Sequence, residues 1–228
     1  EAKRTGKPVW QLAGLHEPKA LVTAYTLSLD TPEAMAEAAA RAAHRPLLKL
    51  KLGRDGDADR LRRIRAAAPK SRLIVDANEG WSPDTLAVML RTCADVGVEL
   101  VEQPLPAGND DALRHVERPV PVCADESAHD RSGLELLVGK YDAINVKLDK
   151  TGGLTEALGM CAAATRLGLG LMVGNMCGTS LAMAPAFLSS LGFDVRPIGV
   201  TPDGRNINLD CGSTHLAGLA REVVATGA

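Results

Sequence analysis

Three short apolar runs each end in a carboxylate: Leu73-Ile74-Val75-Asp76-Ala77-Asn78, Val98-Glu99-Leu100-Val101-Glu102-Gln103-Pro104 and Val120-Pro121-Val122-Cys123-Ala124-Asp125-Glu126. Runs rich in Val, Leu and Ile and bounded by turn residues read as strands buried on both faces. One acid after a strand commonly does no more than cap the following helix. Asp76, Glu102 and Asp125 recur at near-equal spacing, and that repetition favours a shared task. In a parallel barrel the carboxyl ends of neighbouring strands open onto one mouth. Three oxygen donors there suit a hard divalent cation such as Mg²⁺, which keeps positions open for water and substrate.

Lysines flank these acids in the sequence. Lys49 and Lys51 are two residues apart on an expected strand and therefore share a face. Leu48, Leu50 and Leu52 need the apolar, helix-facing side, which turns both lysines into the barrel interior, where an ammonium is costly unless it has a partner or a task. Lys51 lies two strands before Glu102 and Lys147 two strands after it, on opposite walls of the mouth. Such an arrangement suits proton abstraction beside a carboxylate, with the cation stabilising an enediolate. One lysine removes the α-proton from one face and the other returns it to the opposite face, inverting the stereocentre. A neighbouring cation lowers a lysine's pKa, so Lys49 and the metal are expected to help Lys51 act as a free base.

The elements that must position these residues alternate regularly. A strand is expected over Leu21 to Leu29, a helix over Pro32 to His44 behind the cap Asp30-Thr31-Pro32, and a strand over Leu47 to Leu52. A helix near Ala58 to Ala68 leads to the strand ending at Asp76, and one from Ser82 to about Val96 leads to the strand ending at Glu102. Shorter helices are expected near Asp110 to Val116 and Arg131 to Gly139. The strand Ala143 to Lys147, a helix from Gly152 to Leu167, the strand Gly170 to Gly174 and a helix near Ser180 to Leu191 follow. About seven strand–helix alternations argue for a parallel sheet closed as a (β/α) barrel. The architectural alternative is an open doubly wound sheet, which usually brings a phosphate loop, and no G-x-G-x-x-G follows the first strand. From Arg196 to Gly212 the chain is polar and turn-rich, and Ser213 to Ala225 reads as a closing helix.

Bulk composition bounds the function. A chain of 228 residues supports one sizeable core, and with 3% aromatics that core must be built from Ala, Leu, Val and Ile. A formal net charge of −2 gives no electrostatic case for nucleic acid or an anionic membrane, and no apolar run reaches the length of a membrane span. The cysteines (Cys93, Cys123, Cys161, Cys177 and Cys211) have no paired spacing and read as reduced thiols of a cytoplasmic protein. The N-terminus does not read as a signal peptide, and with Glu1 rather than Met at its start the chain is expected to be a piece of something longer.

Over roughly Pro8 to Ser190 the sequence resembles the enolase superfamily. The resemblance is carried by Lys49-Leu50-Lys51, Asp76-Ala77-Asn78, Val101-Glu102-Gln103-Pro104, Ala124-Asp125-Glu126-Ser127 and Asn145-Val146-Lys147-Leu148-Asp149-Lys150-Thr151-Gly152-Gly153-Leu154. Within the superfamily it is most similar to the dipeptide epimerases of the L-Ala-D/L-Glu type in the muconate-lactonising branch, through Ala24-Tyr25-Thr26-Leu27-Ser28, Ile74 to Trp81 and Gly178 to Pro185. This resemblance implies a modified TIM barrel of the (β/α)7β type and Mg²⁺ held by Asp76, Glu102 and Asp125. It implies Lys51 and Lys147 as the acid/base pair, Lys49 as a binder of the substrate carboxylate, and a dipeptide pocket lined by Thr26, Met176, Gly178 and Thr179.

Three departures stand out. The capping domain that precedes the barrel in the family is absent, so one barrel domain over residues 1–228 is expected, with an atypical segment over 194–228. The Asp-x-Asp that holds the dipeptide ammonium in the family is replaced by Phe193-Asp194-Val195-Arg196-Pro197, leaving Asp203 as a single shifted acid. Asn175 stands where Cys or a small residue is expected. A cycloisomerase or an o-succinylbenzoate synthase, whose substrates carry no ammonium, is therefore the alternative within the same chemistry. An inactive metal-binding barrel is the alternative of another class. Exposed mouth and edge surface also lead us to expect a homo-oligomer.

Overall fold

The computed structural model describes residues 1–17, 22, 24–176 and 183–186. Two single-turn helices, α1 (Ala2–Thr5) and α2 (Val9–Leu12), open the chain and bury none of their residues. The strands are β1 (Tyr25–Leu27), β2 (Leu47–Lys51), β3 (Arg72–Asp76), β4 (Val98–Glu102), β5 (Val122–Ala124), β6 (Ala143–Lys147) and β7 (Gly170–Gly174). Between them lie α3 (Pro32–Ala42), α4 (Asp57–Ala67), α5 (Pro83–Asp95), α6 (Leu134–Leu137), α7 (Leu148–Thr151) and α8 (Leu154–Arg166). The strands pair in sequential order from β1 to β7, all parallel, in one curled sheet of the (β/α) barrel class.

Local chemistry explains the helix starts. Thr31 Oγ1 accepts the Ala34 N–H at 3.2 Å ahead of Pro32, whose fixed φ suits the first turn. Ser82 and Thr85 form a reciprocal capping box ahead of α5. Elsewhere the helices are shorter than the periodicity predicts. The Asp110 to Val116 stretch holds only a 3₁₀ turn, Asp111–Arg114. Arg131 to Gly139 divides into a 3₁₀ turn, Arg131–Gly133, and the single turn α6. The helix expected from Gly152 instead starts at Leu154, because Gly152 adopts φ +76° and ends α7. Residues 183–186 are helical, within the helix expected near Ser180 to Leu191. The tail from Arg196 and its closing helix lie outside the described residues.

The sheet separates two cores. Leu48, Leu50, Leu73, Val75, Val101, Val122, Ile144 and Val146 face the helices in one large cluster. Leu47, Ile74, Cys123, Ala143 and Met172 fill the barrel interior in a smaller one. The inward face is thus apolar toward the amino ends of the strands and charged toward their carboxyl ends. Cys93, Cys123 and Cys161 are buried and in no disulfide, and burial pushes the thiols of Cys93 and Cys161 up to about 12. Cys177 and Cys211 lie outside the described residues. Among the described residues no helix is long and apolar enough to cross a membrane.

One irregularity sets the geometry of the mouth. Leu73 pairs with Val98, but Ile74 pairs with Leu100, so Glu99 is an extra residue on β4. Because side chains alternate along a strand, this bulge moves Glu102 into the row of Asp76 and onto the same inward face. Glu99 itself is taken up outside the row by Arg72, with contacts of 2.6 to 3.0 Å.

A second close fit supports the loops above β2 and β3. A Cβ on Gly80 would lie 2.4 Å from Gly53 Cα, and one on Gly53 would lie 2.4 Å from the Ala77 carbonyl oxygen. Both contacts are with backbone, which cannot rotate away. Gly80→Ala is therefore expected to destabilise the protein by about 1–3 kcal/mol in urea unfolding, whereas Gly133→Ala, with open space around it, should leave the midpoint almost unchanged. Equal midpoints for the two variants would contradict this packing.

Candidate active site

The inward row at the carboxyl ends of the strands contains every described residue that the sequence singled out as charged. Lys51, Asp76 and Glu102 are level across β2, β3 and β4. Asp125 follows β5 directly, and Lys147 ends β6 on the far side. Lys49 lies one step deeper on β2, level with Thr26 of β1. Met176, two residues past β7, is half-exposed, and its N–H points at Asp149 Oδ2 at 3.4 Å. Gly178, Thr179 and Asp203 lie outside the described residues.

The acids are almost wholly buried and each meets an ammonium. Lys49 Nζ lies 2.8 Å from Asp76 Oδ2 and 2.7 Å from Glu102 Oε2. Lys51 Nζ donates to Asp76 Oδ2 at 2.8 Å and to Asn78 Oδ1 at 2.9 Å. Lys147 Nζ donates to Asp125 Oδ2 at 2.5 Å. The sequence reading places Lys49 on a substrate carboxylate; in this structure it is buried between two acids of the protein itself.

These contacts set the protonation states. Burial pushes the Asp76 carboxyl up, but Lys49 and Lys51 together hold it below its ordinary value. Burial likewise opposes ionisation of Asp125, and Lys150 and Lys147 pull it down to about 2. Glu102 goes the other way: burial and the charge of Asp76 push it up to about 7 against the pull of Lys49. Burial would lower Lys49, yet Glu102 and Asp76 outweigh it and keep the ammonium above its usual range. Lys147 is also raised, because Asp125 outweighs its burial. In this state Lys147 is an acid rather than a free base.

Several residues that complete the site carry little sequence signal. Asn145, fully buried on β6, donates from Nδ2 to Glu102 Oε1 at 2.8 Å. Gly174 makes this possible, since a Cβ there would lie 2.7 Å from Asn145 Oδ1 and 3.1 Å from Lys147 Cε. Asn78 links Lys51 to Glu126, donating to Glu126 Oε1 at 3.2 Å. Gln103, at a left-handed φ of 35°, accepts the N–H groups of Asp125 and Ser127 on Oε1. Its Nε2 donates to Leu105 O, Ser127 Oγ and the Tyr141 hydroxyl, so one side chain ties the ends of β4 and β5 together. Asn78, Gln103 and Asn145 belong to the motifs that carry the resemblance, and that membership is the signal that could have marked them, although the sequence alone assigns them no role.

Among the described residues no three acidic, histidine or cysteine side chains converge as a ready-made metal cage; lysines engage the carboxylates instead. The donor set nevertheless fits a hard cation. Glu102 Oε2 is buried, and its one close contact is the Lys49 ammonium at 2.7 Å, which Asp76 shares. Carboxylate oxygens from three adjacent strand ends are the ligand type such ions take.

A parallel (β/α) sheet whose strand ends carry this acid and lysine row matches a known family. The family model for the enolase C-terminal domain-like fold covers residues 33–196, and the chain belongs to this family. It is 45% identical over 187 residues to L-Ala-D/L-Glu epimerase of Escherichia coli (strain K12), across 81% of this chain and 58% of that protein. It is 44% identical over 188 residues to N-acetyl-D-glutamate racemase of a Pseudoalteromonas species, across 82% of this chain and 59% of that protein. Among solved structures it resembles an enolase family member from Agrobacterium tumefaciens with homology to dipeptide epimerases, solved with bound sodium and L-Ala-L-Glu. That match has 53% identity and a TM-score of 0.81 over 86% of this chain and 60% of that one. The chain thus spans less than two thirds of the length of these relatives.

The pKa pattern has a consequence for stability. A carboxyl raised in the fold binds its proton more tightly there than in the unfolded chain. Stability from Glu102 therefore falls as pH rises from about 4.5 to about 7, by roughly 3 kcal/mol at most. Asp125 acts with the opposite sign, adding stability above about pH 4 that is lost as pH falls toward about 2. In chelator, Glu102→Gln should gain stability relative to the parent across the 4.5 to 7 window, measured by urea unfolding. A constant difference over that window would refute the assignment to Glu102.

Proposed function

We propose that this chain is the barrel part of a Mg²⁺-dependent epimerase that inverts the carbon beside the carboxylate of an L-Ala-D/L-Glu-like dipeptide. The observation that carries this reading is the placement of Lys51 and Lys147 at the two ends of one row of buried carboxylates. Asp76, Glu102 and Asp125 would hold the cation. When bound, it supplies positive charge against which a substrate carboxylate can take up electron density.

The chain's own residues supply the rest. An α-carbanion is planar, so inversion needs a proton donor on each face. Lys51 stands on the β2 wall and Lys147 on the β6 wall, which satisfies that requirement. Lys147 is held protonated by Asp125 in this state and is therefore the group prepared to deliver a proton. Acting as a base requires it first to leave Asp125 Oδ2. The missing side chain of Gly174 leaves room for the Lys147 stem, and Asn78 gives the Lys51 ammonium a second acceptor at 2.9 Å. The named relatives are an epimerase and a racemase, which supports proton transfer at one carbon rather than ring closure or elimination.

A second substrate class has specific support. An N-acylated amino acid carries no ammonium, and the chain lacks the family's Asp-x-Asp after Phe193 while being 44% identical to an N-acetyl-D-glutamate racemase.

Proton NMR in D₂O with Mg²⁺ separates these readings. Loss of the glutamyl α-proton signal of L-Ala-L-Glu, with appearance of L-Ala-D-Glu, is expected. Exchange confined to N-acetyl-L-glutamate would select the second class, and exchange of neither would reject both. Lys147→Ala should abolish exchange while Mg²⁺ binding, followed by calorimetry, persists. Asp125→Asn should weaken Mg²⁺ binding itself.

A further inference from the structure

Asp125 meets a second lysine, which the proton-transfer scheme does not use. Lys150 Nζ donates to Asp125 Oδ1 at 2.6 Å and to the Asp125 carbonyl oxygen at 2.5 Å. Lys147 occupies the other carboxylate oxygen. The single-turn helix α7 sets the two lysines three residues apart, which brings their side chains to one side. Asp125 also donates its N–H to Gln103 Oε1 at 2.8 Å. Its backbone and one carboxylate oxygen are thereby fixed, and the other oxygen is left to Lys147.

We propose that Lys150 is a positioning residue that presents Asp125 Oδ2 to the cation and to Lys147, at some loss of cation affinity. The inference rests on the proposed proton-transfer site. Lys150 is poorly placed to reach a substrate itself. Its side chain is 9% exposed, against 26% for Lys51, and both a carboxylate oxygen and the backbone carbonyl of Asp125 hold it. A simple structural salt bridge and a positioning cation differ in the sign of one effect. The Lys150 charge sits within hydrogen-bond distance of a ligand carboxylate, so it repels an incoming Mg²⁺. Removing that charge should strengthen cation binding while letting Asp125 and Lys147 drift. Loss of a merely structural contact would weaken binding.

The test uses the whole chain with Mg²⁺ alone in calorimetry, and with L-Ala-L-Glu in D₂O for exchange. Lys150→Met is expected to bind Mg²⁺ severalfold more tightly and to exchange the α-proton about tenfold more slowly or worse. Lys150→Gln, which keeps a donor for the Asp125 carbonyl but no charge, should also bind Mg²⁺ more tightly and decides the matter if Lys150→Met does not fold. Unchanged or weaker Mg²⁺ binding overturns the proposal, as does unchanged exchange in either folded variant. If the parent exchanges no substrate while the variants still bind Mg²⁺ more tightly, the epimerase reading fails and the hold of Lys150 on Asp125 is supported.

Discussion

Everything at the mouth of this barrel follows from placing three like-charged carboxylates where water barely reaches. Asp76, Glu102 and Asp125 are each at most 3% exposed, on three consecutive strand ends. Isolated buried carboxylates would be protonated or would unfold the site. The chain answers with ammonium groups from β2, β6 and α7 and an amide from β6. The answer is uneven. Asp125 has two lysines and is held near 2, whereas Glu102 shares one lysine with Asp76 and is raised to about 7. The Glu102 Oε2 atom meets only that shared lysine. The centre of the row is therefore the place where added positive charge gains most, which is where the proposed cation would be shared by the three acids.

Much of this could be read from the residues in order. Strand ends, cap residues and the two-residue spacing of Lys49 and Lys51 are local properties, so the barrel class and the inward direction of both lysines follow from them. The apolar partners confirm the geometry, since Leu48 and Leu50 lie in the helix-facing core and Leu47 in the interior one. What the residues concealed is non-local. Regular alternation along Val98-Glu99-Leu100-Val101-Glu102 puts Val98 and Glu102 on one face. The bulge at Glu99 instead sends Val98 to the helices and Glu102 inward. Its partner is Arg72 on the neighbouring strand, which no period in β4 can announce. Asn145 looks like an ordinary interior polar residue until Glu102 and Gly174 are seen beside it. Lys150, in a loop motif, gains meaning only because α7 turns it back over β5.

The division of the interior also separates stability from chemistry. Leu47, Ile74, Cys123, Ala143 and Met172 form a dry layer below the charged row, and the large core outside the sheet holds the helices. Neither layer needs the lysines. The polar row is held from behind by Gln103, whose side chain makes five hydrogen bonds around a left-handed backbone position. Residues with φ > 0 and a side chain other than Gly carry strain that surrounding contacts must offset. Those contacts join the peptide after Glu102 to the N–H of Asp125, so the strain is spent on fixing the relation between two of the three acids.

Fixing the acids while leaving the lysines paired gives the site its direction of change. The carboxylates are tied through backbone, amide and bulge, elements that move only if strands move. Lys51 and Lys147 are tied to single carboxylates by flexible stems, and Lys51 is the most exposed ammonium of the row. A cation or an anionic substrate entering the mouth competes for these pairings one at a time and leaves the sheet untouched. The stable part of the site is thus the negative frame, and the exchangeable part is the set of ammonium groups that neutralise it. The proposed proton transfer at a carbon acid would need that order of rigidity, because its donor and acceptor must gain and lose contact with substrate while the carboxylates stay in place.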